Sequence, residues 1–213
     1  MDTILGTDVS KNQGPKLDWG AIAATGVRFA FCKATEHIGY LDPSFSNHVA
    51  GAARAGLFVG SYHVLRPEAD PQRQAEHYFK VAAGRGPLPP VLDFELTGKL
   101  PGPEVLRRGF AFVEATEALW GRPCIVYTAN WFWQSIGNPD APHFAARQLW
   151  VAHYGVKVPT LPRPWRDRGW AIWQFDGNGG RRLPGVDGDF NWFKGTEDDL
   201  RVLCDRTVDA CHG

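Results

Sequence analysis

The sequence predicts an α/β fold: a single-domain, irregular and flattened β/α barrel of TIM-like type with a mainly parallel sheet. Three observations carry this expectation. Short apolar runs of β-character alternate with helix-like segments along the whole chain, about eight times. The 213 residues fall short of the ~250 typical of a regular eightfold barrel, so an abbreviated form is expected. The rival, a doubly wound sheet, wants a glycine-rich phosphate loop after its first strand, and "DVSKNQG" is not GxGxxG.

The runs follow in order. Residues 4–8 precede "LDWGAIAATG", 27–33 precede "DPSFSNHVAGAARAG", and 57–64 precede "DPQRQAEHYFKVAA". "PVLDFE" at 90–95 precedes "PEVLRRGFAFVEATEALWG". Then come 124–129, 148–153, 170–175 and a final polar-aromatic run near "GVDGDFNWF". Helix ends have local causes. Asp70 with Pro71, and Asp42 with Pro43, read as N-caps followed by proline in the first turn. Gly26, Gly56 and Gly121 stand where a left-handed residue stops a helix. Thr196 with Asp199 resembles a capping box. Residues 130–170, rich in proline and aromatics, read as loops with little helix. No repeat or linker divides the chain, so residues 1–213 are expected to form one domain.

Composition excludes several function classes. Lys plus Arg equals Asp plus Glu, and zero net charge gives no electrostatic case for nucleic acid or anionic membranes. No stretch reaches the ~18 apolar residues of a membrane span, and "MDTILGTDVS" lacks the basic start and apolar core of a signal peptide. The four cysteines form no CxxC pair. Cys204 and Cys211 in a helix would sit ~10.5 Å apart along its axis, too far for a bridge unless the helix ends before Cys211. Free, mostly buried thiols are therefore expected. His63 and His153 lack HExxH or other ligand spacing, and neither a metal nor a cofactor is expected. The nine tryptophans serve either a core, the reading for most of them, or a cleft lined with aromatic faces suited to sugar rings.

Barrel enzymes carry their chemistry at the C-terminal ends of strands. Here those ends hold Asp8, Lys33 with Thr35 and Glu36, Tyr62 with His63, Asp93 with Glu95, and Tyr127 with Asn130. His153 with Tyr154, Gln174 with Asp176, and Asp187, Asp189 and Asn191 complete the set. Buried charge is costly, so a fold alone would not place it there. In a strand, Asp93 and Glu95 share a face, with Cα atoms ~6.6 Å apart, and Leu92 and Phe94 pack behind them. Such a pair suits the carboxyl separations of glycosidases and pushes two pKa values apart, as a general acid requires.

Taken together, "GTDVSKNQG", "VRFAFCKATE", "YLDPSFSNHVAGAARAGLFVGSYHV", "PVLDFE", "IVYTANWFW", "LWVAHYG", "AIWQFD" and "GVDGDFNWF" resemble the family 25 glycoside hydrolases, in that family's order and over nearly the whole chain. The resemblance implies a lysozyme that cleaves the β-1,4 bond between N-acetylmuramic acid and N-acetylglucosamine with retention. The intermediate would be either an enzyme ester or a substrate-assisted oxazoline. It implies Glu95 as general acid/base, with Asp93 orienting the substrate acetamido group or stabilising charge. Asp8 and Asp189 complete an acidic cluster. Asp189 is preferred to Asp187 because it opens the Asp-x-Asn-x-Phe pattern. Lys33, Tyr62, Tyr127 and Gln174 are secondary polar contacts, and Trp131 in "YTANWFW" is a candidate sugar platform. One departure stands out: His37 occupies the place where the family usually has glycine, and would either narrow the cleft or point to solvent. The alternatives are a non-catalytic cell-wall carbohydrate-binding protein of the same fold and a glycosidase for another N-acetylated polymer such as chitin. Peptidoglycan is the expected partner, met outside the cytoplasm by a monomer that is secreted, released by phage lysis or delivered by a secretion apparatus.

Overall fold

A computed structural model describes residues 2–177 and 188–205. Its strands are β1 (Thr3–Val9), β2 (Phe29–Glu36), β3 (Tyr40–Leu41), β4 (Phe58–Val64), β5 (Val91–Asp93), β6 (Ile125–Ala129), β7 (Leu149–Ala152), β8 (Ile172–Asp176) and β9 (Asp189–Lys194). Its helices are α1 (Trp19–Ala24), α2 (Phe45–Arg54), α3 (Pro71–Ala82), α4 (Gly102–Trp120), α5 (Asn130–Ser135), α6 (Pro142–Ala145) and α7 (Glu197–Asp205). Parallel pairing runs from β1 through β2, β4, β5, β6 and β7 to β8. β9 lies antiparallel to both β8 and β1 and closes the ring. The result is the expected α/β barrel with a mainly parallel sheet, and β3 hangs outside it as a hairpin partner of β2. No helix among the described residues is long and apolar enough to cross a membrane.

Most helix ends follow the sequence signals. The Asp70 carboxylate accepts from Arg73 N at 2.9 Å, with Pro71 opening α3. Thr196 and Asp199 exchange the reciprocal bonds of a capping box ahead of α7. Gly121 takes a left-handed φ of 63° at the end of α4. Asp42 departs from expectation. The helix after it starts at Phe45, and the Asp42 carboxylate instead accepts from Ser44 N and Lys11 N, both near 3 Å. A short polar side chain bonding to backbone two residues on makes a turn rather than a cap. The second bond ties the 10–13 loop to the barrel rim. β5 is also shorter than "PVLDFE": the ladder ends at Asp93, and Glu95 lies beyond it. β3 and the extension of β2 to Glu36 were not anticipated.

Alternation along the strands sorts the apolar residues into two cores. Phe29, Phe31, Val91, Ile125, Trp150, Ile172 and Phe193 fill the barrel interior. Ala30, Cys32, Leu92, Phe94, Val126 and Val151 face outward into the layer shared with the helices. Eight of the nine tryptophans are buried or half-buried, and Trp131 is exposed. Cys32 and Cys124 are buried free thiols and Cys204 is a half-buried one, while Cys211 lies outside the described residues.

The interior is tight enough to dictate a glycine. A Cβ on Gly6 of β1 would fall 2.2 Å from the Phe29 ring, far inside van der Waals contact. Gly6→Ala is therefore expected to destabilise the protein by about 1–3 kcal/mol through overpacking. Phe29→Leu in the same chain should recover part of that loss, because the two sites share one volume. Urea unfolding of the single and double variants measures both effects.

Candidate active site

The same alternation builds the site. Two residues beyond the inward Phe31, Val91, Ile125 and Ile172 stand Lys33, Asp93, Tyr127 and Gln174. On antiparallel β9 the count runs backwards from Phe193 to Asn191 and Asp189. β1 contributes Asp8, whose Cα partners are Phe31 of β2 and Asp189 of β9. A polar layer thus lies on an apolar plug at one end of the barrel. There it opens into a cleft of about 360 Å³. Asp8, Lys33, Tyr62, Asp93, Glu95, Tyr127, Gln174 and Asp189 all line that cleft.

The strand ends are tied together by side-chain amides. Asp8 Oδ2 accepts from Asn191 Nδ2 at 2.7 Å and from Gln174 Nε2 at 2.9 Å. Gln174 Nε2 also reaches Asp189 Oδ2 at 3.5 Å. The Gln174 carbonyl accepts from the Tyr127 and Tyr154 hydroxyls at 2.8 and 2.6 Å. Trp150 Nε1 donates to Asn191 Oδ1 at 2.8 Å, which fixes the orientation of that amide. On the opposite wall Lys33 Nζ donates to Glu36 Oε2 at 2.7 Å, and Arg66 Nε donates to Glu36 Oε1 at 2.6 Å.

Burial and crowding set the charges. Asp8 is pushed up to about 7, first by burial and then by Asp189, against the pull of its two amide donors. Burial also raises Asp93 well above the carboxylate range, and neighbouring Glu95 adds to it. Glu95 is raised by burial and by Asp189, with Lys33 opposing. Partial burial pushes Glu36 up too, but its hydrogen bonds to Lys33 and Arg66 outweigh it and hold the group below its usual value. Asp93 Oδ1 is buried with no hydrogen-bond partner among the described residues. Such atoms are rare in folded proteins, and a catalytic role is one recognised reason for them.

Other sequence candidates fall elsewhere. Trp131, the second residue of the helix after β6, is 61% exposed, but it does not line the cleft. His37 takes a left-handed φ of 56° in the β2–β3 turn, the geometry glycine adopts most cheaply, and it too stays out of the cleft wall. His63 is fully buried behind the sheet, hydrogen-bonded to Thr35 and Gln74 and stacked on Phe112. Burial holds its pKa down to about 3, so it stays neutral. His153 Nδ1 accepts from Thr160 N. Asp187 lies outside the described residues. Arg66 was missed, because it sits two residues past the end of β4, where strand periodicity no longer applies.

Comparison with known proteins agrees with this geometry. The model of the glycosyl hydrolases family 25 matches residues 7–185. Lysozyme M1 of Streptomyces globisporus is 31% identical over 218 residues, covering 96% of this chain and 72% of its own length. The N,O-diacetylmuramidase of Chalaropsis sp is 30% identical, with 94% and 99% covered. Among solved structures, the bacterial lysozyme from Streptomyces coelicolor superposes with a TM-score of 0.86 at 32% identity, covering 96% of this chain and 98% of that one. A family GH25 lysozyme from Aspergillus fumigatus gives 0.85 at 28% identity, covering 95% and 99%. An acidic cleft at the strand ends of a closed barrel, and a family match across most of the sequence, lead to one conclusion: the chain belongs to the family 25 glycosyl hydrolases and is a glycoside hydrolase of the lysozyme class.

Proposed function

We propose that residues 1–213 act as one catalytic domain that hydrolyses the β-1,4 bond between N-acetylmuramic acid and N-acetylglucosamine in peptidoglycan, with retention, as a monomer outside the cytoplasm. Glu95 is the general acid/base. Asp93 faces the acetamido group on the sugar that loses its glycosidic bond. Asp8 and Asp189 supply negative charge beside the developing oxocarbenium-like centre. Lys33, Tyr62, Tyr127 and Gln174 position these groups and the sugar, and Trp131, exposed outside the cleft wall, offers an aromatic face to a more distant part of the glycan.

The single observation that carries this reading is the unpartnered Asp93 Oδ1 in a cleft whose carboxyl pair is pushed upward. An acetamido N–H is the donor this atom lacks. A donor set against Asp93 favours its ionised form. The proton that burial retains on the pair then moves to Glu95, where it is needed beside the leaving oxygen. Substrate binding thereby creates the acid.

Glu95→Gln removes the transferable proton while keeping size and polarity. It is expected to reduce turbidity loss of cell-wall suspensions by about 10²–10⁴-fold. Full activity in that variant would remove Glu95 from the role. Asp93→Asn should lower kcat by tenfold or more, on the order expected for loss of one transition-state contact. An unchanged kcat would make Asp93 structural.

Lys33 pulls the Glu95 and Asp93 pKa values down. Losing that cation disfavours the carboxylate form, so Lys33→Gln raises both. The protonated acid then persists to higher pH. The alkaline limb of kcat/KM is therefore expected to move upward in the variant, and a downward or absent shift in the pH–rate profile would contradict the arrangement.

A further inference from the structure

The cleft is lined by five carboxyl side chains, Asp8, Glu36, Asp93, Glu95 and Asp189, and by two cations, Lys33 and Arg66. Lys33 pairs with Glu36 and also lowers the pKa values of Asp93 and Glu95. Arg66 meets the same Glu36 through Nε and Nη2, while Nη1 has no partner among the described residues, and the side chain is 40% exposed. Ordinary surface ion pairs are loosely held and worth little. This one is built in. Gln74, fully buried, accepts from Arg66 N at 3.0 Å and donates to Arg66 O at 2.9 Å, so one side chain clamps both backbone groups. Glu36 then fixes the direction of the guanidinium. A cation held from both ends, with donors left over, is prepared for an anion or a strong acceptor in the cleft.

The proposed substrate class identifies that acceptor. Leu65 N donates to Asp93 O at 3.1 Å, so Arg66 follows directly on the residue paired with Asp93. The anionic group that a muramyl glycan brings to this cleft is carried on C3 of the sugar. Muramic acid differs from glucosamine at that carbon alone, where it carries a lactyl ether ending in a carboxyl group. We propose that Arg66 is the specificity residue that reads this lactyl carboxyl, most strongly when it is a free carboxylate, as in glycan strands stripped of their stem peptides. The proposal rests on the muramidase reading and deepens it. It separates this cleft from one for chitin, which has no carboxylate to offer Arg66.

The test is steady-state cleavage of three soluble tetrasaccharides: alternating N-acetylglucosamine and N-acetylmuramic acid with free lactyl carboxylates, the same glycan with lactyl methylamides, and chitotetraose. Wild-type protein is expected to show the lowest KM for the free acid. Arg66→Gln should raise that KM about tenfold and bring it level with the methylamide, the loss of one charge-assisted contact. Arg66→Lys keeps the charge but not the planar fork, and should retain a smaller preference. A free-acid to methylamide KM ratio that is the same in wild type and Arg66→Gln overturns the proposal, as does a wild-type ratio of one. Wild-type protein that cuts neither muramyl glycan overturns the muramidase reading, and the proposal with it.

Discussion

Two side-chain amides holding one buried carboxylate are the contact on which the site depends. Asp8 comes from the first strand of the barrel, Asn191 from the last, and Gln174 from the strand beside it. Without those amides, a carboxylate packed above phenylalanine and tryptophan rings would be an uncompensated charge. With them, the ends of β1, β8 and β9 are held in register and the acidic wall of the cleft faces the Asp93 and Glu95 wall. The tyrosine hydroxyls on Gln174, and the Trp150 indole on Asn191, fix which end of each amide points at Asp8.

The arrangement has a thermodynamic cost of definite sign. Because burial carries Asp8 up to about 7 from an ordinary carboxylate value, the folded chain binds its proton more tightly than the unfolded chain. That contribution to stability is fully present at low pH. It fades as pH rises from the normal carboxylate range through about 7. Asp93 and Glu95 are shifted the same way. Near neutrality the cleft therefore works against the fold that supports it, and the aromatic layers behind the sheet make up the difference. Phe94 shows the link most directly: one residue from each acid, it packs on Phe132, Trp133 and Phe144.

Much of this could be read before any coordinates. Alternation predicted that Asp93 would turn inward while Leu92 and Phe94 turned outward, and ending each apolar run on a polar group predicted a shared mouth. The signals that failed were those where two local chemistries compete. Asp42 before proline suits a helix cap and a turn equally, and only the distant Lys11 backbone decides between them. Glu95 was read as part of a strand, because no pattern in six residues says where a ladder stops. Arg66 carried no signal at all, since its importance comes from Gln74 and Glu36, which lie on other elements. Trp131 is legible as an exposed aromatic but not as a cleft residue, because ring chemistry does not specify position.

The closing pair of strands has a consequence for when activity can arise. β1 emerges first during synthesis and finds its antiparallel mate only in β9, with Asp8 and Asn191 separated by 183 positions. A pairing this remote is slow to form, because a long loop must close before any contact rewards it. A nascent chain can assemble the middle of the barrel from neighbouring units, yet its acidic wall stays apart until β9 has been made and paired with β1. The cleft of this glycoside hydrolase is thus a property of the closed ring, and β9 is the piece that completes it.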